Sequence, residues 1–275
     1  MTEPTTIGRP VPWWVRAYLL LGAFQGVGIG LTGFIDPGGI QIPFQMSPLN
    51  ARFVGALYLA SGIGVLAAAF SRRREETRLF VVAFGLATLL ILLVTALHWS
   101  DFMGDGLPHR VSWIASYVGD PLLALAVVVA ARFAPPQHSA RRRFVALLLV
   151  ECALLSLLGA LLLFLPDAAA TIWPWALPPV LGQLYGCFFV ALGAGAFLAY
   201  LGNEETAVRN YLLTSLALAF FVLLASELHS DRFKSAVAIG LWFGGFGIAG
   251  ICFAAALALQ LRGGYSGRPT AQIPD

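Results

Sequence analysis

Charged residues are scarce in this sequence. Asp, Glu, Lys and Arg make up only 11% of the 275 residues, and Lys234 is the single lysine. A soluble domain carries about 25% charged residues. Here 59% of the residues are hydrophobic and the mean hydropathy is +0.80. The composition excludes an ordinary soluble domain and predicts an integral membrane protein.

Signals for common chemistries are also missing. The three cysteines, Cys152, Cys187 and Cys252, stand inside apolar stretches without metal-ligand spacing, which is typical of packing residues. The sequence has no Walker Gly-rich loop, no His-Glu-x-x-His and no Gly-x-Ser-x-Gly. It therefore predicts no metal, identifies no cofactor and does not favour an enzyme. The net charge of +3 is explained by the excess of basic residues in the loops of one membrane side. We therefore expect no nucleic-acid partner.

Long apolar runs are abundant. Each is about 20 residues long, enough for a helix to cross a hydrocarbon core of about 30 Å. They cover residues 15–33, 49–70, 78–98, 112–132, 144–165, 179–201, 208–228 and 235–261. A helix satisfies its own backbone hydrogen bonds in lipid, and no ten-residue alternation indicates a barrel. We predict an all-α, eight-span, multi-pass protein of the cell membrane.

The basic residues lie mostly in alternate loops. Cytoplasmic loops hold the excess of Lys and Arg. With the N-terminus inside, only Arg52, Arg110, Arg232 and Lys234 lie outside, and the other thirteen of the 17 basic residues lie inside. We expect both termini to be cytoplasmic.

Half of the sequence is repeated. Glu-Glu-Thr occurs at 75–77 and again at 204–206. The pairs Leu97-His98 and Leu228-His229 are 131 positions apart, and the same offset relates Pro43 to Pro174 and Gly55 to Gly186. A fixed offset indicates a duplicated unit, and four spans per unit predict two parallel four-helix repeats. The predicted units are a disordered tail 1–12, a repeat 13–133, a linker 134–143, a repeat 144–262 and a disordered tail 263–275.

Small residues form stripes on two spans. The glycines are Gly22, Gly26 and Gly30 on the first span, and Gly240, Gly244, Gly245, Gly247 and Gly250 on the eighth. Such stripes permit close helix contact. They are typical of helix packing within the chain, and they also leave open a protein partner at these two spans.

Two outer loops, 34–48 and 166–179, are rich in proline, which excludes regular helix over most of their length. The second also contains Trp173 and Trp175. These loops are either ordered turns anchored at the lipid headgroups or a lid over the bundle. In the Glu-Glu-Thr elements the acidic side chains complement the helix dipole, with Ser71 or Asn203 as the cap.

The paired histidines have three interpretations. His98 and His229 end equivalent spans, with Asp101 near the first and Glu227 and Asp231 near the second. The helix dipole favours His at this position. An imidazole also carries protons and binds zinc or haem iron.

Asp120 is the strongest polar candidate, because it falls near the middle of the fourth span and ionisable residues there are costly. Helical spacing places Tyr117 and Trp113 on its face, continuing outward to His109, while Ser116 and Ser112 lie beside them. A purely structural hydrogen bond to Tyr117, Gln25 or a serine is the alternative. Glu151 is a second acidic residue, about 10 Å deep in the fifth span, where it either reaches toward the inner surface or pairs with an Arg at 141–143.

Three functions remain open. The first is a carrier or binding protein with an outward-facing polar site between the repeats. The second is a non-catalytic packing subunit of a larger membrane complex, and the third is a redox or metal protein using the two histidines. The candidate substrate or proton site comprises Asp120, Tyr117, Trp113, His98, His229 and Glu227.

Overall fold

The computed structural model describes residues 9–40, 42–102, 107–133, 144–202 and 204–265, with the side chains of 107–109 and 263–265 left aside. These residues form helices and loops, with one isolated bridge between Pro10 and Arg73. The predicted linker 134–143, Asn203 and residues 1–8 lie outside the described part.

Ten α-helices follow one another along the described chain. They are α1 Trp13–Ile35, α2 Pro48–Ala69, α3 Arg78–Leu97, α4 Trp99–Phe102, α5 Leu107–Ala131, α6 Val145–Phe164, α7 Pro166–Ile172, α8 Pro179–Gly202, α9 Glu205–Glu227 and α10 Ala236–Tyr265. Eight of them, all except α4 and α7, are long and apolar enough to cross a membrane. For the described residues, the prediction of an all-α chain with eight helices of membrane-spanning length is confirmed.

Local signals explain several helix ends. The Ser47 hydroxyl accepts from the Asn50 N–H at 3.3 Å, and Pro48 opens α2, which is a favourable first-turn arrangement. Before α3, the 3-10 turn Arg74–Thr77 is capped by Glu76, whose carboxylate accepts from the Arg72 and Arg73 N–H groups at 3.1 Å each. Ser71, the predicted cap, does not fill this role, and its hydroxyl accepts from the Asn210 side-chain amide at 3.4 Å.

The two Glu-Glu-Thr copies lie at the same end of the bundle. Burial raises the pKa of Glu204, the positive Arg73 opposes this, and Glu76 and Glu75 add to the rise. Residues of the N-terminal segment also join this end, because the Arg74 N–H donates to the Arg9 carbonyl at 3.0 Å. Residues 9–12, predicted as part of a disordered tail, therefore include an ordered contact.

The halves of the chain are interleaved. Helix α1 packs on α2 and α6 packs on α8, while α3 packs on α5 and α9 packs on α10. Between the halves, α2 packs broadly on α9, and α3 packs broadly on α8. Helices α2 and α3, which are neighbours in sequence, touch much less. The two halves thus share one core, with α2, α3, α8 and α9 more buried than the outer four helices.

Glycines bring α1 and α2 into close contact. A Cβ atom at Gly55 would lie 2.8 Å from the Phe34 nitrogen and 2.9 Å from the Gly30 oxygen. Such an approach of backbones requires glycine. The glycine stripe on the first span therefore packs against other helices of the same chain. Gly26 contacts Gly62 of α2, and Gly22 contacts Phe84 of α3.

Helices α6 and α8 cross in the same way. A Cβ atom at Gly186 would lie 2.8 Å from the Gly159 oxygen and 3.1 Å from the Leu163 nitrogen. Gly55 and Gly186 are 131 positions apart, whereas Gly30 and Gly159 are 129 apart. In both crossings a Cβ on the second helix of the pair would therefore meet the glycine oxygen of the first helix.

An aromatic cap closes the bundle end that carries the 36–47 segment. Trp175 is 1% exposed, its indole N–H donates to Asn50 Oδ1 at 2.7 Å, and its ring lies 5.3 Å from Phe53 and 5.0 Å from Trp242. Trp173 packs on Phe53 as well. Both tryptophans are therefore packed inside the protein.

Candidate functional site

A cavity of about 380 Å³ lies between α1, α2, α3 and α5, and faces of α8 and α9 close it from the other half of the chain. Most of its wall is apolar. Its polar and aromatic side chains include Gln25, Tyr58, Thr88, Trp113, Tyr117 and Asp120. A volume of this size falls within the range of small-molecule sites.

Asp120 is held at the cavity wall by contacts with α1. It is 3% exposed, and the Gln25 side chain hydrogen-bonds its carboxyl group. The Gln25 amide N–H also donates to the Ser116 hydroxyl at 3.5 Å, and the Tyr18 hydroxyl donates to the Asp120 backbone carbonyl at 3.4 Å. Gln25, one of the three structural partners proposed from the sequence, is confirmed as a neighbour of this carboxyl group.

Aromatic rings form the wall beside Asp120. The hydroxyls of Tyr58 and Tyr117 share a hydrogen bond, and the Trp113 and Tyr117 rings lie 4.3 Å apart. The Trp113 indole donates to Thr95 Oγ1 at 3.0 Å. These contacts fix the orientation of both rings, so the cavity is pre-formed on this side.

The structure brings three of the six predicted site residues together. Asp120, Tyr117 and Trp113 line the cavity, as their spacing on one helix face predicts. Among the described residues, the cavity wall does not include His98, His229 or Glu227. The side chain of His109 lies outside the described residues.

Sequence reasoning missed the contribution of α2. Tyr58 and Ser61 line the cavity, yet in the sequence they are isolated polar residues in an apolar run. The sequence places both residues on one helix, but it does not show which side of that helix faces the cavity. Tyr58 reaches the site because α2 packs at the centre of the bundle.

Each histidine contacts the opposite half of the chain. His98 Nε2 and Gln183 Oε1 are 2.5 Å apart, and His229 Nε2 hydrogen-bonds the Arg52 guanidinium. Gln183 and Arg52 are 131 positions apart, as are the two histidines. The contacts are therefore equivalent, and each joins the end of one helix to a central helix of the other half.

The partners of the histidines are themselves held in equivalent ways. Arg52 Nε donates to the Phe34 carbonyl at 3.1 Å, and Gln183 Nε2 donates to the Leu163 carbonyl at 2.9 Å. No group of three His, Cys, Asp or Glu within the described ranges is arranged to hold a metal ion. His98 Nδ1 also lies 3.5 Å from Asp101 Oδ2. These contacts favour a structural role for both histidines.

Stability should fall on mild acidification through His229. Burial, and then the neighbouring Arg52, lower the pKa of His229 from its ordinary value of 6.5. As the pH falls below 6.5, the unfolded chain takes up the proton first, so stability decreases until the folded-state pKa is reached. We expect this part of the fall in melting temperature to be smaller in His229→Gln.

A second variant controls for the loss of the imidazole. Arg52→Gln places at this position the residue that the second half has at 183, and it removes the repelling charge while keeping a hydrogen-bonding side chain. Its melting temperature should depend less on pH than that of the unchanged protein. Equal pH dependence in all three proteins would contradict the assignment to His229.

Glu151 is buried at a separate position. Its carboxyl group lies close to the Ser215 and Tyr211 side chains of α9, and the Tyr211 hydroxyl donates to the Leu192 carbonyl at 2.8 Å. The predicted alternatives were reaching the inner surface or pairing with Arg141–Arg143. The three arginines lie outside the described residues, and the carboxyl group faces the hydroxyls of a neighbouring helix.

Comparisons of the chain with known protein families, with curated proteins and with solved structures found no match.

Proposed function

We propose that this protein is a membrane carrier or binding protein whose ligand occupies the cavity beside Asp120. The observation that carries the proposal is a carboxyl group placed on the wall of a preformed space of about 380 Å³ within the bundle. An acidic side chain inside a membrane protein is costly, at about 2.5–3.5 kcal/mol on the insertion scale. Function is one way in which such a cost is offset.

The position of Asp120 in its helix supports this proposal. It is the fourteenth of the 25 residues in α5, which corresponds to a depth of about 20 Å from the start of the helix. Pro121 follows it and has no N–H to donate to the Tyr117 carbonyl. The helix is thus polar and locally weakened at the level of the cavity, as is common at substrate and proton sites in membranes.

We also infer that the two halves are parallel repeats with both termini in the cytoplasm. Matching contacts support the duplication: the Trp113 indole bonds Thr95 as the Trp242 indole bonds Ser226, the latter at 2.9 Å. The distribution of arginines supports the orientation. The cavity breaks the symmetry, because residues 129 and 131 positions after Asp120 are Ala249 and Ile251.

A packing subunit remains the second candidate because of α10. Cβ atoms added at Gly240, Gly244, Gly245 and Gly247 would meet no described atom within 4 Å. This glycine face is open, whereas the stripe on α1 is occupied by the chain itself. Co-purification of a partner in mild detergent, lost on enlarging Gly244, would favour this second function.

A cavity-filling variant tests the carrier proposal. Ala87 is buried and lines the cavity, so Ala87→Phe should occupy part of the space that a ligand needs. We expect small molecules that co-purify with the protein in lipid nanodiscs, identified by mass spectrometry after extraction, to be lost or strongly reduced in this variant.

The matched control is Ala96→Phe on the same helix. Ala96 is exposed and outside the cavity, so this variant should retain the same bound molecules as the unchanged protein. Melting temperatures of both variants separate loss of binding from loss of fold. An identical set of bound molecules in all three proteins would contradict a ligand site in this cavity.

A further inference from the structure

The cavity has an acidic group and lacks a basic one. Asp120 lies on its wall, and no Lys, Arg or His of the described residues lines it. An anionic ligand would therefore meet an acidic side chain without a compensating positive charge, which is strongly unfavourable in a low-dielectric site. A cation would instead supply the partner charge that an ionised Asp120 lacks.

Aromatic side chains line the same cavity. Tyr58 and Phe188 lie 4.8 Å apart, Trp113 and Tyr117 lie 4.3 Å apart, and all four side chains line the cavity. Aromatic rings attract cations through their negative faces. Together with a carboxyl group they form the kind of wall that recognises ammonium-type ligands, while the apolar remainder suits a hydrophobic body.

The cavity also borders the outside of the bundle between α1 and α5. These two helices contact each other only sparsely, because α1 packs on α2, and α5 packs on α3. At this boundary Phe24 lines the cavity but is 79% exposed, and a Cβ at Gly28 would meet no described atom within 4 Å. Both residues belong to a helix long and apolar enough to span a membrane, so an entrance at this boundary would open toward lipid.

We propose that the ligand is a lipophilic cation, an ammonium or similar positive group on an apolar body, which enters between α1 and α5 and pairs with Asp120. This inference rests on the proposed function and specifies its ligand class. The cationic group lies beside the Asp120 carboxylate and the Tyr58 and Tyr117 rings. The apolar body occupies the part of the cavity lined by residues such as Phe84 and Val65.

Two probes of the same size and shape and opposite charge test the proposal. Tetraphenylphosphonium is the cation and tetraphenylborate is the anion. With the protein in nanodiscs of zwitterionic lipid, and empty nanodiscs subtracted, we expect saturable binding of radiolabelled tetraphenylphosphonium but not of tetraphenylborate. Octyltrimethylammonium, which is slimmer, should compete with the labelled cation.

Asp120→Asn removes the charge and keeps the shape, and it should weaken cation binding at least tenfold. Asp101→Asn is the control, because it makes the same change at an exposed carboxylate outside the cavity, and it should bind as the unchanged protein does. Equal binding of both ions, equal affinity in Asp120→Asn, or no saturable binding of either cation would overturn the inference.

The two proposals fail in different ways. If Ala87→Phe removes a neutral or anionic molecule that co-purifies with the protein, the cavity is a ligand site but the cationic class is wrong. If Ala87→Phe changes nothing and no cation binds, the carrier proposal itself fails. A melting temperature of Asp120→Asn close to that of the unchanged protein shows that lost binding is not lost folding.

Discussion

Trp175→Ala should lower the free energy of unfolding by about 3–5 kcal/mol, the usual cost of removing a large buried aromatic side chain. The indole fills the space between Phe53 and Trp242 and is 1% exposed. Its N–H donates to Asn50 Oδ1 at 2.7 Å. The substitution therefore leaves a cavity where the cap joins the two halves, and thermal unfolding in mild detergent should show a large fall in melting temperature.

Two further variants separate packing from hydrogen bonding. Trp175→Phe keeps a ring but loses the N–H, and it should cost less than the alanine variant, since the Tyr185 hydroxyl still donates to Asn50 Oδ1 at 2.9 Å. Trp13→Ala removes the same side chain at a position that is 80% exposed, so it should have a small effect. A loss at Trp175 as small as the one expected at Trp13 would show that the cap does not stabilise the fold.

The helices themselves were predictable from the sequence. A run of about 20 apolar residues has one stable form in lipid, because only a helix satisfies its backbone groups within the segment. Every predicted span has a corresponding helix. The start of α2 shows how a local signal sets a helix end, because Ser47 caps the helix and Pro48 opens it.

The packing of those helices was not predictable in the same way. Side chains that face lipid and side chains that face protein are both apolar, so the hydrophobic pattern does not identify the buried face. Trp173 and Trp175 show the consequence, because tryptophan is also common at headgroups. Their burial depends on Phe53 and Asn50 in the other half of the chain, which no local pattern connects to them.

Part of the candidate site was predictable because polar residues are costly in a membrane. Asp120 stands out on this ground, and helical spacing adds Tyr117 and Trp113. Tyr58 was not predictable, since a tyrosine in an apolar helix is compatible with several positions. The partner of each histidine was not predictable either. Gln183 and Arg52 reach the histidines only because α3 packs on α8 and α9 packs on α2.

Gly55→Ala should destabilise the protein, by about 1–3 kcal/mol as for other overpacked positions. The added Cβ would lie 2.8 Å from the Phe34 nitrogen and 3.0 Å from the Gly33 carbonyl carbon. Both atoms belong to the backbone of α1, so relief requires the two helices to move apart rather than a side chain to rotate.

Gly186→Ala is the equivalent change in the second half and should have a similar effect, because its Cβ would lie 2.8 Å from the Gly159 oxygen. Gly244→Ala provides the opposite case, since no described atom lies within 4 Å of a Cβ there. Alanine is a better helix former than glycine by about 0.5–1 kcal/mol, so this variant should be neutral or slightly more stable. In thermal unfolding, glycine-to-alanine substitution should therefore lower the melting temperature at the two crossings and leave it unchanged or slightly higher at α10. Loss of stability at only one of Gly55 and Gly186 would contradict the equivalence of the two helix crossings and weaken the inference of duplicated halves.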